Sequence, residues 1–167
     1  TYGFRLAYNN IRCEGHCAPG PRPEGLVPAS SLVFNQLAAF DRLLFPAPRP
    51  VFLSAWLRQP ESAALAAVEG GQIKGYGVIR PCRVGYKIGP LFAGDLPTAE
   101  RLLDGLTAQA PAGAPFYLDI PAANAAAVDL VHKRQMKAVF KTARMYNKTF
   151  PPLPLDRLFG VTSFELG

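Results

Sequence analysis

Three groups of side chains in this sequence could carry chemistry. Cys13, His16 and Cys17 fall within five residues of one another, and Cys82 would supply a fourth ligand. Thiolates and imidazole nitrogens are ordinary zinc ligands, but this is not the spacing of a standard zinc motif and the segment is rich in proline. The group therefore reads as free thiols, with no metal site. Arg80 and Arg83 flank a Pro81-Cys82 turn. Two guanidinium groups so placed either grip a carboxylate substrate or only solvate a hairpin tip. For proton transfer the chain offers Glu69, Asp119 and Glu165 as acceptors, with Tyr86 and Tyr146 as donors. Each has a plainer alternative: a strand carboxylate facing solvent, or a core tyrosine with a wet hydroxyl.

Charge adds a second clue. Eighteen basic and twelve acidic residues give a net charge of +6. No acid occurs between Asp129 and Asp156, where Lys133, Arg134, Lys137, Lys141, Arg144 and Lys148 all lie. Such a field either attracts phosphate groups or is a solvated basic face. No RRM, zinc-finger or arginine-rich signature is present, and Phe140 and Tyr146 read as strand core rather than stacking platforms. Neither nucleic acid nor a membrane is an expected partner.

The elements that must position these residues follow from length and periodicity. At 167 residues, 49% hydrophobic and 18% charged, the chain can bury one real core and is too apolar to be disordered. Its apolar runs are only a few residues long, whereas a membrane span needs about 20. No basic-then-apolar leader opens it, and three cysteines point to a reducing cytoplasm. Tyr2, Phe4, Leu6 and Tyr8 alternate as in a half-buried strand over 2–12. A chain that opens inside a strand reads as a piece of a longer protein. The run CEGHCAPGPRPEGLVP (13–28) reads as a linker, its four prolines and three glycines opposing helix and central strand alike.

Val33, Leu37, Phe40 and Leu44 predict a helix over 31–45, capped by Ser30 or Ser31. A short helix follows over about 50–59. Strands at 63–69 and 73–80 flank Gly70-Gly71, a hairpin signal. A third strand spans 84–92, where Gly89-Pro90 predicts a bulge or splay. Then come a helix at 98–110, a strand at 115–120, a helix at 123–135 capped by Asn124, and strands at 138–147 and 160–166. This order predicts a mixed α/β domain at 29–167 with a mostly antiparallel sheet and one central parallel pair, each helix serving as a crossover.

The order, with its bulged third strand before a helix, resembles the Gcn5-related N-acetyltransferase (GNAT) fold from about Leu26 onward. The phrase LDIPAANAAAVDLVHKRQM resembles the family's strand-then-helix motif, with Asn124, Ala127 and Leu130 in its places. The blocks GYGVIRPCRVGYKIGPLF (75–92) and FGVTSFELG (159–167) are similar to the C-terminal domain of bacterial proteins that carry two such folds in tandem. The strand at 1–12 would then be a remnant of a preceding GNAT domain. The resemblance implies an acetyl-coenzyme A site in a V-shaped gap beside the splayed strand, formed by Pro90, Leu91 and Phe92. The loop Ala93, Gly94 and Asp95 and the following helix would hold the pyrophosphate, Asn124 would face the cofactor, and Lys133, Arg134 and Lys137 would reach its phosphates. It also implies a small amine substrate; for that chemistry the residues themselves offer Arg80, Arg83 and Tyr86 to bind the substrate, and Tyr146 and Glu165 as catalytic acid and base.

The chain departs from the family pattern in three places, one being Gln135-Met136 where a Gly-aromatic pair usually ends the motif. Its phosphate loop reads AGDLPTAER, in which Asp95 either repels a pyrophosphate or caps the helix, and Pro97 lacks an N–H. Where many members carry a catalytic tyrosine stands Val131, and the adjacent His132 points about 100° away around the helix. Two functions follow: an acetyl-CoA-dependent N-acetyltransferase, or a degenerate domain supporting a catalytic partner domain. Such a domain, isolated, would expose its partner face and could form a homodimer.

Overall fold

The alternation that opens the chain does not stop at Arg12. In the computed structural model, which describes residues 3–166, it continues as one strand, β1 (Arg5–His16). Tyr2, the first member of the expected alternation, lies outside the described residues, as does Gly167. The expected linker therefore loses its first four residues to the strand. No proline occurs before Pro19, so nothing prevents Cys13–His16 from pairing with residues 115–118. The following loop is fastened by Cys17 N–H donating to Ala114 O and Gly113 N–H donating to Cys17 O, both at 2.8 Å.

The remaining strands are β2 (Leu26–Pro28), β3 (Ala63–Glu69), β4 (Gln72–Pro81), β5 (Tyr86–Ala93), β6 (Pro115–Pro121), β7 (Lys137–Tyr146) and β8 (Leu158–Gly160). They form one sheet in the order β2-β3-β4-β5-β6-β1-β7, with β8 on β5. Every pairing is antiparallel except β5 with β6, the central parallel pair. The strand expected to stand apart from the rest, β1, lies inside the sheet between β6 and β7.

Helices cover both faces. On one side α3 (Leu96–Thr107) and α4 (Ala125–Lys133) bury Ala99, Leu102, Leu106, Ala127 and Leu130 against Ile88, Leu91, Leu118 and Ile120. On the other, α1 (Phe34–Leu44) and α2 (Pro50–Trp56) bury Leu37, Phe40, Leu44 and Leu53 against Tyr76, Val78 and Phe92. Each sheet face thus has its own core, as a sheet between two helical layers requires. Among the described residues no helix is long and apolar enough to cross a membrane.

Two local expectations change. Neither Ser30 nor Ser31 caps α1: the Ser31 hydroxyl donates to Pro28 O at 2.7 Å and closes a 3-10 turn at Ala29–Ser31 instead. Val33, expected on the apolar stripe, is the N-cap residue and is exposed. The last strand is not 160–166 but the short β8, which comes earlier. Beyond it Ser163 Oγ accepts from Leu166 N–H at 3.2 Å, and this turn ends the extended run.

Candidate functional site

β5 and β6 pair only over Tyr86–Ile88 with Phe116–Leu118, and then diverge. The splay forms at Gly89-Pro90, as the sequence suggests. The space it opens is occupied by the chain's own segment 158–163. β8 lies antiparallel on β5, with Leu91 opposite Gly160 and Phe92 opposite Leu158. On the far side Val161 N–H donates to Asp119 O of β6 at 2.9 Å. Asn124 Nδ2 donates to Leu158 O at 2.9 Å. The approach at Gly89 is so close that an added Cβ would lie 2.5 Å from Thr162 O. Leu158, Phe159, Val161, Thr162 and Ser163 are all buried.

This packing decides where the expected cofactor residues go. Pro90, Leu91, Phe92 and Ala93 are buried beneath the segment rather than lining an open gap. Trp56 Nε1 donates to Gly89 O at 2.9 Å, so the carbonyl at the bulge is also taken. Gly94 and Asp95 are exposed, and the Asp95 carboxylate caps α3 by accepting from Thr98 N–H at 2.8 Å. The helix N-terminus is already served by an anion of the protein itself. Asn124 caps α4 through Oδ1, accepting from Ala126 and Ala127 N–H, while its amide nitrogen ties down β8. Lys133 pairs with Glu100 at 3.1 Å and Arg134 with Asp104 at 3.0 Å, and Lys137 is exposed on β7. The residues present do not fit acetyl-coenzyme A in this gap: its volume, its strand edge and its helix terminus are all in use.

A network behind the segment locks it further. Arg49 donates twice to Asp41 at 2.8 Å and once to Thr162 Oγ1 at 3.0 Å. Tyr76 donates its hydroxyl to Asp41 at 2.5 Å. Burial and the Asp41 carboxylate push the Tyr76 pKa well above the ordinary phenol value, so it stays protonated. Asp41 and Arg49 therefore join α1, α2, β4 and the gap-filling segment through one buried ion pair.

An open cleft of about 360 Å³ lies on the α2 side of the sheet. Arg80, Arg83 and Glu165 line it together, so three of the expected substrate and catalytic residues share one site. Tyr86 does not; it packs against the core on the α3 side. Tyr146 lines two other small cavities, of about 90 and 110 Å³, both shared with Tyr8, whereas Glu165 lines the cleft. Burial and the neighbouring Tyr146 push the Tyr8 phenol upward.

Sequence reasoning missed two cations of this cleft, Arg12 and Lys87. They meet at Asp119, which is fully buried. Arg12, directly opposite Asp119 in the ladder, donates to both its oxygens at 2.8 and 2.9 Å. Lys87 Nζ also bonds Asp119. So clamped, Asp119 is not a free base. A lone lysine in the apolar strand VGYKIGPLF was the available signal, because a buried ammonium needs a buried partner. Hydrogen bonding to Ser163, together with Lys87 and Arg12, holds the Glu165 carboxyl below its ordinary value.

The thiols lie elsewhere. All three cysteines are free, and burial raises the Cys13 pKa to about 11. Among the described residues no three His, Cys, Asp or Glu side chains gather to hold a metal ion.

Comparison with known proteins gives a consistent set of relatives. The profile of the Acetyltransferase (GNAT) domain matches residues 37–160. A holothin acyltransferase from Pseudoalteromonas sp. (strain SANK 73390) is 25% identical over 99% of this chain and 56% of its own length. The crystal structure of a candidate acetyltransferase from Pyrococcus horikoshii superposes with a TM-score of 0.80 at 25% identity, over 98% of this chain and 53% of that one. A GCN5-related N-acetyltransferase from Sphaerobacter thermophilus, 16% identical, shares the fold at a TM-score of 0.55 over 86% of this chain and 52% of its own. The chain thus spans about half the length of these relatives.

Proposed function

Because the chain belongs to the GNAT acetyltransferase family, we propose that it is a domain of a larger acyltransferase that has given up its own cofactor site and supports a catalytic partner domain. One observation carries this reading: residues 158–163 fill the gap between β5 and β6 and bond to both strands. Three others agree with it. Asp95 occupies the α3 terminus, Val131 stands where a catalytic tyrosine would be, and relatives of this chain are about twice as long. In this reading β1 comes from the preceding domain. The acyl group and its carrier are then handled by the partner domain, with a small amine as the acceptor. The domain's own contribution is a rigid sheet and the cleft on its α2 side. Three free cysteines fit a reducing compartment such as the cytoplasm.

Calorimetric titration of acetyl-coenzyme A into the chain at low salt tests the reading. The expected result is no saturable heat up to millimolar ligand. Micromolar affinity would overturn it and restore the other function, an N-acetyltransferase working through its own gap once residues 158–163 move aside.

A further inference from the structure

We propose that the cleft on the α2 side is a binding site for a small molecule bearing two oxyanion groups, such as two carboxylates. The inference does not depend on whether the chain binds acetyl-coenzyme A, because the cleft and the filled gap are separate. Four cations face the cleft: Arg12, Arg80, Arg83 and Lys87. Asp119 beneath it and Glu165 on its rim neutralise two, leaving a surplus of two positive charges. The four cations differ in kind. Asp119 is fully buried and holds Arg12 and Lys87 from below, so the floor is fixed before any ligand arrives. The Lys87 side chain is only 8% exposed, and an ammonium is rarely placed so deep without a structural or binding role.

Arg80 and Arg83 form the second pair. Among the described residues neither makes an ion pair. Arg80 lies over the Trp56 ring, 5.0 Å from its centroid, which orients the guanidinium and leaves its N–H fork free of carboxylate. Arg80 is therefore an oriented oxyanion receptor, with the exposed Arg83 beside it on the rim, while the floor holds positive charge that Asp119 only partly offsets. A ligand with one anionic group could neutralise only one end. A dianion spans both and matches the surplus. A cleft of about 360 Å³ is at the small end of the range for ligand pockets, roughly 300–1,000 Å³, and suits a short molecule.

Both planar carboxylates and tetrahedral phosphates match arginine forks, so the test has two arms. Succinate and inorganic pyrophosphate are titrated calorimetrically into the chain at low salt, with acetate and neutral succinamide as controls. The expected result is saturable binding of at least one dianion in the micromolar to low-millimolar range, much weaker acetate, and no succinamide binding. Whichever dianion binds names the source of the oxyanion. Arg80→Ala and Arg83→Ala are each expected to weaken binding about tenfold or more. Lys74→Ala, which removes one charge outside the cleft, leaves it unchanged. No saturable binding of either dianion up to tens of millimolar, or equal losses in all three variants, overturns the proposal.

Discussion

Asp95 shows how the same charge acts oppositely on a bound anion and on a helix terminus. Against a pyrophosphate its charge would repel; at the head of α3 it stabilises, because the first N–H groups of a helix lack partners. Its carboxylate takes the Thr98 N–H, and that hydrogen bond holds its pKa below the ordinary carboxylate value. A group whose pKa is depressed by folding adds stability above its unfolded value, and loses it as pH falls through the native one. Asp95→Ala should therefore cost about 1 kcal/mol at neutral pH, the usual worth of a cap. The difference from wild type should shrink as pH drops below about 4. Urea unfolding of both proteins across this range measures it, and a gap that does not change with pH would mean the cap works without its charge. The role of Asp95 was legible because a cap depends only on neighbours in sequence. That of Asp119 was not. It read as an available base, and only the pairing of β6 with β1 and β5 brings Arg12 and Lys87 onto it.

At the scale of elements, local signals located most strands and helices and said little about their partners. The Gly70-Gly71 hairpin, the apolar stripe of α3 and the cap of α4 all depend on neighbours in sequence, and each forms close to where periodicity puts it. β1 and β8 are the opposite case. The opening of the chain reads as a strand because its apolar residues alternate, and GVTSFEL (160–166) reads as the last strand. Alternation identifies a half-buried strand without saying which edge it will join. The place of residues 158–163 in the gap comes from long-range bonds to Leu91, Phe92, Asp119 and Asn124, none of which leaves a mark on the segment itself. The Asn124 amide can be tested apart from its cap. Asn124→Ser keeps an oxygen that caps α4 but cannot reach Leu158 O. Hydrogen exchange should then speed up about fivefold at Val161 and its neighbours, with the α3 amides unchanged, because one buried hydrogen bond is worth about 1 kcal/mol. If Val161 exchanges as in wild type, the segment is held by packing and by Arg49, not by Asn124.

Across the whole molecule the two sheet edges are unequal. β2 ends one edge with three residues. β7 ends the other with ten, exposed on most of its length, and it carries exposed Val139, Phe140 and Met145 near exposed Phe4 and Leu6 on β1 and the residues before it. A long edge with exposed apolar residues invites another strand. The basic run opposes this, since Lys137, Lys141 and Arg144 lie on the same strand and no acid lies between Asp129 and Asp156. Two copies meeting at β7 would bring these charges together. Their repulsion is felt at low ionic strength and screened once the Debye length falls to about 10 Å, near 0.1 M salt. The isolated chain should therefore self-associate more strongly as salt rises, the reverse of an interface held by ion pairs. Sedimentation velocity over a salt and concentration series measures this. Phe140→Lys with Met145→Lys should keep the chain monomeric throughout, by adding charge and removing apolar area at once. A wild-type chain that stays monomeric at every salt would mean that the three existing charges already protect the edge. In that case a protein that docks on this edge must bring carboxylates to meet them.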